Sequence, residues 1–365
     1  MIVRSYEDAG VRGQGGALSS VARHLGPTLA LPEGARLLTD FGHYASVLQV
    51  SDDLAIAIST DGVGSKTLVA SALDRYDTIG YDCVAMNVND VLCVGARPIA
   101  MVDYLGVNSL DDRRTDEILA GLGGAAKEAG VAIPGGELAQ LPEVIGSDGL
   151  TPGDPAAFDL VGTCIGTVHP ERLVLGSRIE PGDAVIGIES SGIHSNGLTL
   201  ARKTLLGTGG YRYEDDMGVL GRTLGEELLR STEIYVRAVT ALWGAGIETR
   251  GLAHITSDGL VNLCRLECEV GFTIDELPEP PPIFALVQEV GAIAPEEMYR
   301  VFNMGIGFVA IVAASDEAGA VAAVEAAGYR ARRLGTAEGP QGEVRIEPLG
   351  LTGRLAKGSA ELRPS

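Results

Sequence analysis

Asp61, Asn87 and Asp90 are the residues whose types and surroundings point most directly to chemistry. Asp61 opens the run Asp61-Gly62-Val63-Gly64-Ser65-Lys66. Its glycines let backbone amides approach a ligand closely, and Lys66 offers a charge suited to phosphate. The first glycine of a P-loop is missing, so the run is not a Walker motif. Asn87 and Asp90 are three residues apart, hence on one face, in a segment otherwise apolar at helical spacing (Ile79, Val84, Val88, Val91). A carboxylate in such a setting is costly unless it is paired or metal-bound. Asp103 in the apolar run Pro98 to Leu105 and Glu137 after Pro134-Gly135-Gly136 add two acids in hydrophobic contexts. Hard oxygen donors select magnesium over zinc, and magnesium usually arrives bridging a nucleotide's phosphates. The ordinary alternatives are an Asp-Gly turn, a solvated lysine and a carboxylate paired with a basic side chain.

A second group of candidates lies in the loop Ser190 to Gly197, where Ser191, His194, Ser195 and Asn196 precede a helix expected near Leu198. Hydroxyls, an amide and free N–H groups at a helix start suit an anion, and a histidine there can move a proton. No G-x-S-x-G elbow is present and no cysteine has a plainly electropositive setting, so a covalent intermediate is not supported. The dinucleotide fingerprint is absent as well, which removes hydride transfer.

The elements that must position these residues follow from the hydropathy pattern. Residues 54–60 read as a short buried strand ending at the Asp61 turn, 78–96 as a helix, 98–105 as a strand, 111–129 as a helix, 131–137 as a strand and turn, and 159–168 as a strand. The polar stretch Leu175 to Asp183 marks a domain boundary, giving units 1–174 and 175–365. In the second unit come a strand at 184–188, a helix after the loop at 254–259, a proline-initiated helix at Pro282, and a strand at 307–312. The fold class is α+β. A net charge of −21 over 365 residues opposes binding to nucleic acid or anionic membranes. No secretory signal or membrane span is visible, and five cysteines in mostly apolar surroundings fit free buried thiols, so a cytoplasmic location is expected.

Eight segments, in order along the chain, are similar to the phosphoribosylformylglycinamidine cyclo-ligase (aminoimidazole ribonucleotide synthetase) family of the PurM-like superfamily. They are Ser5 to Gly10, Thr60 to Lys66, Asp77 to Gly80, Ala85 to Asp90, Pro134 to Glu137, Ser190 to Gly197, Gly251 to Thr256 and Phe302 to Gly307. The resemblance implies an N-terminal α/β domain whose strands join a second subunit's in an intersubunit barrel, a C-terminal α+β sandwich domain, and a homodimer. It implies ATP and Mg2+ as cofactors and formylglycinamidine ribonucleotide as substrate: ATP phosphorylates the formyl oxygen, an internal nitrogen attacks, and phosphate leaves. By motif match Asp61, Asp90 and Glu137 would hold the metal. Thr60, Asp61, Gly62, Gly64, Lys66 and Asn87 would bind ATP, and Ser191, His194, Ser195, Asn196, His254 and Asn303 would face the substrate. His194, Asp90 and Lys66 would be catalytic.

The sequence departs from the family pattern at Leu138 and Gln140, where a threonine and a second glutamate are usual, and at Ser257 and Asp258, which interrupt a glycine run. Phe41-Gly42-His43-Tyr44 also replaces a glycine-richer segment. Alternatives within the superfamily are a thiamine monophosphate kinase-like or selenophosphate synthetase-like enzyme, or a catalytically silent dimeric homologue.

Overall fold

The computed structural model describes residues 3–11, 15–31, 35–146, 156–356 and 359–365. The first domain is built on a six-stranded sheet in the order β1-β2-β3-β6-β4-β5. Its strands are β1 (Arg36–Leu37), β2 (Ser46–Gln49), β3 (Ala55–Gly62), β4 (Arg97–Val107), β5 (Gly136–Gln140) and β6 (Phe158–Val168). Its helices are α1 (Gly15–Leu25), α2 (Lys66–Leu73), α3 (Ile79–Cys93) and α4 (Asp112–Ala129).

The strand expected to be buried at 54–60 is buried on one face only. β3 alternates: Ala55, Ala57 and Ser59 are buried beneath α3, whereas Ile58 and Thr60 are exposed on the far face. Both faces are apolar in composition, so period-two alternation is invisible in the sequence. The expected strand at 131–137 shrinks to a single bridge from Ala132 to Ala100, and β5 begins only at Gly136, because Pro134 cannot donate to a ladder.

The second domain carries an eight-stranded sheet in the order β10-β12-β7-β13-β11-β14-β15-β16. These strands are β7 (Ala184–Glu189), β10 (Gly251–His254), β11 (Phe272–Ile274), β12 (Ile306–Val312), β13 (Ala331–Thr336), β14 (Glu343–Ile346), β15 (Leu351–Ala356) and β16 (Ser359–Pro364). A small hairpin, β8 (Asp216–Met217) with β9 (Arg222–Thr223), stands apart. The helices are α5 (Leu198–Arg202), α6 (Leu224–Leu228), α7 (Val236–Gly244), α8 (Pro282–Gly291), α9 (Pro295–Val301) and α10 (Glu317–Ala326). The helix expected after residue 259 is a 3-10 turn, Gly259–Arg265. Asn262 donates to the carbonyls of Ser257 and Gly259, a side-chain competitor for the backbone pattern an α-helix needs.

Helix α3 lies between the domains. Thirteen of its fifteen residues are buried, which explains a composition apolar on nearly every side. On one flank it meets α4 at Gly80 and Gly121. A Cβ on Gly80 would stand 2.1 Å from the Leu122 nitrogen, so the two backbones approach as only glycine allows. The four polar residues in its middle, Asp82, Asn87, Asn89 and Asp90, must therefore all be accounted for by partners. Four of the five cysteines are buried and all five are free.

Candidate active site

Asn87 is spent on β3. Its Oδ1 accepts from the Asp61 N–H at 3.0 Å, and its Nδ2 donates to the carbonyls of Asp61 at 3.1 Å and Cys83 at 2.8 Å. The amide thus clamps the Asp61 peptide from both sides and fixes where that carboxylate points. Gly162 on β6, directly across from Asp61, leaves room for the clamp: a Cβ there would be 2.6 Å from Asn87 Nδ2. The Asp61 carboxylate accepts from Gly62 N–H at 2.7 Å. Burial, and then the charge of Asp90, push it up to about 6.

One turn further along α3, Asp90 faces the second domain. Its Oδ1 is 2.8 Å from Nδ1 of His254, the last residue of β10, and Ser59 Oγ donates to its Oδ2 at 3.4 Å. His254 is fully buried, and its Nε2 has no partner. Two carboxylates thus influence one another here, Asp61 raised by burial and then by the charge of Asp90, and an imidazole orients Asp90.

Glu137 does not share that site within one chain. Asp61 pairs with Gly162, which pairs with Asp103, so those positions face α3 together. Glu137 instead pairs with Tyr104, which pairs with Val161, the row on the opposite face of the sheet. Among the described residues no three His, Cys, Asp or Glu side chains stand close enough to hold an ion. Thr60 also lies on the far face, donating to the Gly162 carbonyl at 2.8 Å. Gly62 closes β3, and Gly64 makes the turn into α2 with φ +70°.

Lys66 does not present a free cation. It is fully buried, 2.7 Å from Asp82 Oδ1, and donates to the Arg230 carbonyl. Burial lowers its pKa, against the opposing pull of Asp82. Asp82 Oδ1 also accepts from Ser195 Oγ at 3.1 Å, Thr232 Oγ1 at 2.6 Å and Thr232 N–H at 2.7 Å. The pair therefore ties α2 and α3 to the second domain.

The loop after β7 is held from within. Asn303 donates to the Gly192 and Ile193 carbonyls at 2.9 and 3.2 Å, while its Oδ1 accepts from Ser190 Oγ and Gly305 N–H. Its side chain thus shapes the loop and has no group left for a ligand. Ser191 Oγ donates to the Ser231 carbonyl. His194, at φ +64°, is buried, and its Nε2 accepts from Ser191 N–H at 3.2 Å. The proton therefore sits on Nδ1, which has no partner. Burial, with His254, Lys66 and Arg230 adding to it, keeps the ring neutral, so His194 is no ordinary titrating histidine. Asn196 remains partly exposed and accepts from Ser257 Oγ at 3.2 Å. The helix that follows, α5, is five residues long before it widens into a π-turn, Lys203–Thr208, so its N-terminus is a weaker anion site than the sequence suggested.

Residues 42–168 match the family described as AIR synthase related protein, N-terminal domain, and residues 180–347 match its C-terminal domain. The chain belongs to the AIR synthase family. Its relatives include the phosphoribosylformylglycinamidine cyclo-ligases of Methanobrevibacter smithii, 50% identical over 80% of this chain and 82% of that one, and of Methanothermobacter thermautotrophicus, 46% identical over 90% and 92%. Among solved structures, the hydrogenase maturation protein HypE in complex with ATP shares the fold, with TM-score 0.56 and 20% identity over 96% of this chain and 94% of that one.

Of the departures from the AIR synthase pattern, Asp258 has partners of its own. Its carboxylate turns away, accepting from Ala360 N–H at 2.9 Å and facing Arg265 at 3.6 Å. The Phe41 to Tyr44 segment docks on the second domain: Arg265 donates to the Gly42 carbonyl at 2.9 Å, and Tyr44 donates to the Asn262 carbonyl at 3.2 Å. Leu138 sits on the edge strand β5, 46% exposed. Sequence reasoning missed Asp82, although it carries the same signal as Asp90, a carboxylate in an apolar helix. It also missed Asn89, which joins α3 to the segment before α7 through the Glu233 carbonyl and Tyr235 N–H.

Proposed function

We infer that this chain is an ATP-dependent phosphoribosylformylglycinamidine cyclo-ligase, converting formylglycinamidine ribonucleotide into aminoimidazole ribonucleotide in purine biosynthesis. The observation that carries the reading is the Asp61 and Asp90 pair, fixed by Asn87 and His254, in a chain half identical to a protein of that name. ATP transfers its γ-phosphoryl group to the formyl oxygen, turning a poor leaving group into phosphate. The neighbouring nitrogen then attacks that carbon, and the carbon–oxygen bond breaks as phosphate departs.

The protein's part is placement and charge. Asp61 and Asp90 would hold Mg2+, and two carboxylates suffice for an ion that keeps waters and takes phosphate oxygens as its other ligands. That ion, when bound, offsets charge on the transferring phosphoryl group. Their mutual repulsion, which adds to burial in raising Asp61, is what such a cation would relieve. His254 sets the direction of Asp90. His194, neutral and buried, shapes the loop from within, and Asn196 and Ser257 at the rim are the polar groups an arriving substrate would meet first.

The working unit is a homodimer. The open face of the first sheet exposes Ile58, Val102 and Tyr104 at 40%, 45% and 39%, an apolar surface a monomer seldom leaves to water. Joining two such faces makes the intersubunit barrel. The enzyme works in the cytoplasm, which its free buried thiols suit.

The deciding assay incubates purified protein with ATP, Mg2+ and formylglycinamidine ribonucleotide and follows aminoimidazole ribonucleotide. ATP consumption without the imidazole product overturns the reading.

A further inference from the structure

A cleft of about 800 Å³ opens between the two domains just beyond the C-terminal end of α3. Arg97, His169 and Arg172 line it from the first domain and its outgoing connection, and Trp243 and Ile247 line it from α7 and the turn that follows. It is separate from the Asp61 site. Thr167 and Val168, also in its wall, pair with Ile56 and Ala55 at the start of β3, six residues before Asp61, or about 20 Å along an extended strand.

The charge of this cleft runs against that of the chain. In a protein of net charge −21, Arg97 and Arg172 are exposed, and their guanidinium groups make no ion pair or hydrogen bond among the described residues. The acids nearby do not neutralise them. Glu248 lies 3.0 Å from Arg178 and 3.8 Å from Arg250, and Glu171 is 88% exposed beside His169. A third unpaired guanidinium, Arg36, lines a smaller cleft that shares Glu171 and Arg178. Helix capping does not explain Arg97 and Arg172 either: the Val94 carbonyl at the end of α3 already accepts from Val174 N–H, and that of Leu92 from Gly95 N–H.

Free guanidinium forks match the oxygens of phosphate, with charge-assisted hydrogen bonds. The rest of the cleft is suited to something less polar. Trp243 Nε1 is engaged by Thr249 Oγ1 at 3.1 Å, which fixes the indole while leaving it as apolar surface next to Ile247 and Val174. The volume is that of an ordinary small-molecule site. We propose that this cleft binds a small organic phosphate, its phosphate at Arg97 and Arg172 and its non-polar part against Trp243 and Ile247. Such a ligand touches both domains at once, and its binding is independent of the reaction inferred above.

Trp243 is the sole tryptophan of the chain, so indole fluorescence reports this cleft directly. The full-length protein is titrated with AMP, ribose 5-phosphate, inorganic phosphate and adenosine. The expected result is a saturable change with AMP and ribose 5-phosphate, a weaker one with inorganic phosphate, and none with adenosine. Arg97→Gln and Arg172→Gln each raise the dissociation constant about tenfold or more, the loss of one charge-assisted contact. Both side chains are exposed, so melting of the unliganded variants stays unchanged. Two results overturn the proposal: no saturable change with either organic phosphate up to ~5 mM, where even a millimolar site fills, or a change that persists in the Arg97→Gln/Arg172→Gln double variant. Adenosine binding as tightly as AMP overturns the phosphate assignment as well.

Discussion

The Asp90 carboxylate on a helix of the first domain meets the His254 imidazole on a strand of the second at 2.8 Å. The contact crosses the domain junction and ends beside Asp61. Replacing Asp90 by Asn keeps the size and one acceptor oxygen but removes the charge a cation needs. Turnover should fall by roughly a thousandfold or more, as for loss of a metal ligand, with the melting temperature little changed. Activity near that of the parent protein would remove Asp90 from the metal site.

Lys66 tests a different expectation. As half of a fully buried pair with Asp82, its replacement by Met should cost about 3–5 kcal/mol by leaving an unpaired buried carboxylate. Denaturant unfolding measures that loss. Were Lys66 instead a phosphate contact, stability would hold and the KM for ATP alone would rise. Lys66→Met with Asp82→Asn should recover part of the stability, because the buried charge is gone while an amide oxygen still accepts from Thr232.

The Asp61 clamp makes a prediction at a residue with no chemistry. Gly162→Ala places a methyl 2.6 Å from Asn87 Nδ2 and 2.7 Å from Met101 Cε. Overpacking of this kind costs about 1–3 kcal/mol, and the displaced amide releases Asp61. Both the unfolding free energy and kcat should drop, whereas Gly123→Ala, at an exposed position inside α4 where a Cβ meets nothing within 4 Å, should leave kcat unchanged and raise stability by about 0.5–1 kcal/mol.

Asp61 also sets a pH dependence. Its folded-state pKa of about 6 lies above the ordinary 3.8, so protonation favours the folded state. That contribution is complete below about pH 4 and is lost as pH rises through 6, a change of at most about 3 kcal/mol. Relative to Asp61→Asn, the parent protein should therefore lose stability between pH 4 and pH 7 in metal-free buffer. Added Mg2+ should reduce the loss, since a cation favours the ionised form. Parallel pH profiles for the two proteins would contradict the assignment.

Association through the open sheet face is tested by Val102→Asp. The parent protein should sediment as a dimer, and the variant, with a charge in the middle of that face, as a monomer whose secondary structure persists. A variant that sediments like the parent would place the interface elsewhere.

Much of this arrangement was legible in the sequence because one rule covers it: a polar residue inside an apolar helix needs a partner. That rule found Asn87 and Asp90, and applied evenly it would also have found Asp82. What hid Asp82 was its partner, since Lys66 after a glycine-rich turn looks like a phosphate contact until the fold brings α3 against α2. Glu137 and Thr60 lie on the other face of the sheet from Asp61 within one chain, for another reason. Which face of a strand a residue takes depends on register, and when both faces are apolar the sequence carries no mark of it. Asn303 looked like a ligand contact because its role in holding the loop 113 residues earlier is purely a matter of tertiary placement.

The burial of α3 on nearly every side bears on how molecules reach the site. A clamshell enzyme opens by swinging one lobe from another about a thin hinge. Here the two lobes hold the same rod, and separating them would pull Asp82 from Thr232, Asn89 from Tyr235 and Asp90 from His254 together. Opening by separation of the lobes would therefore cost all three of these contacts in one step.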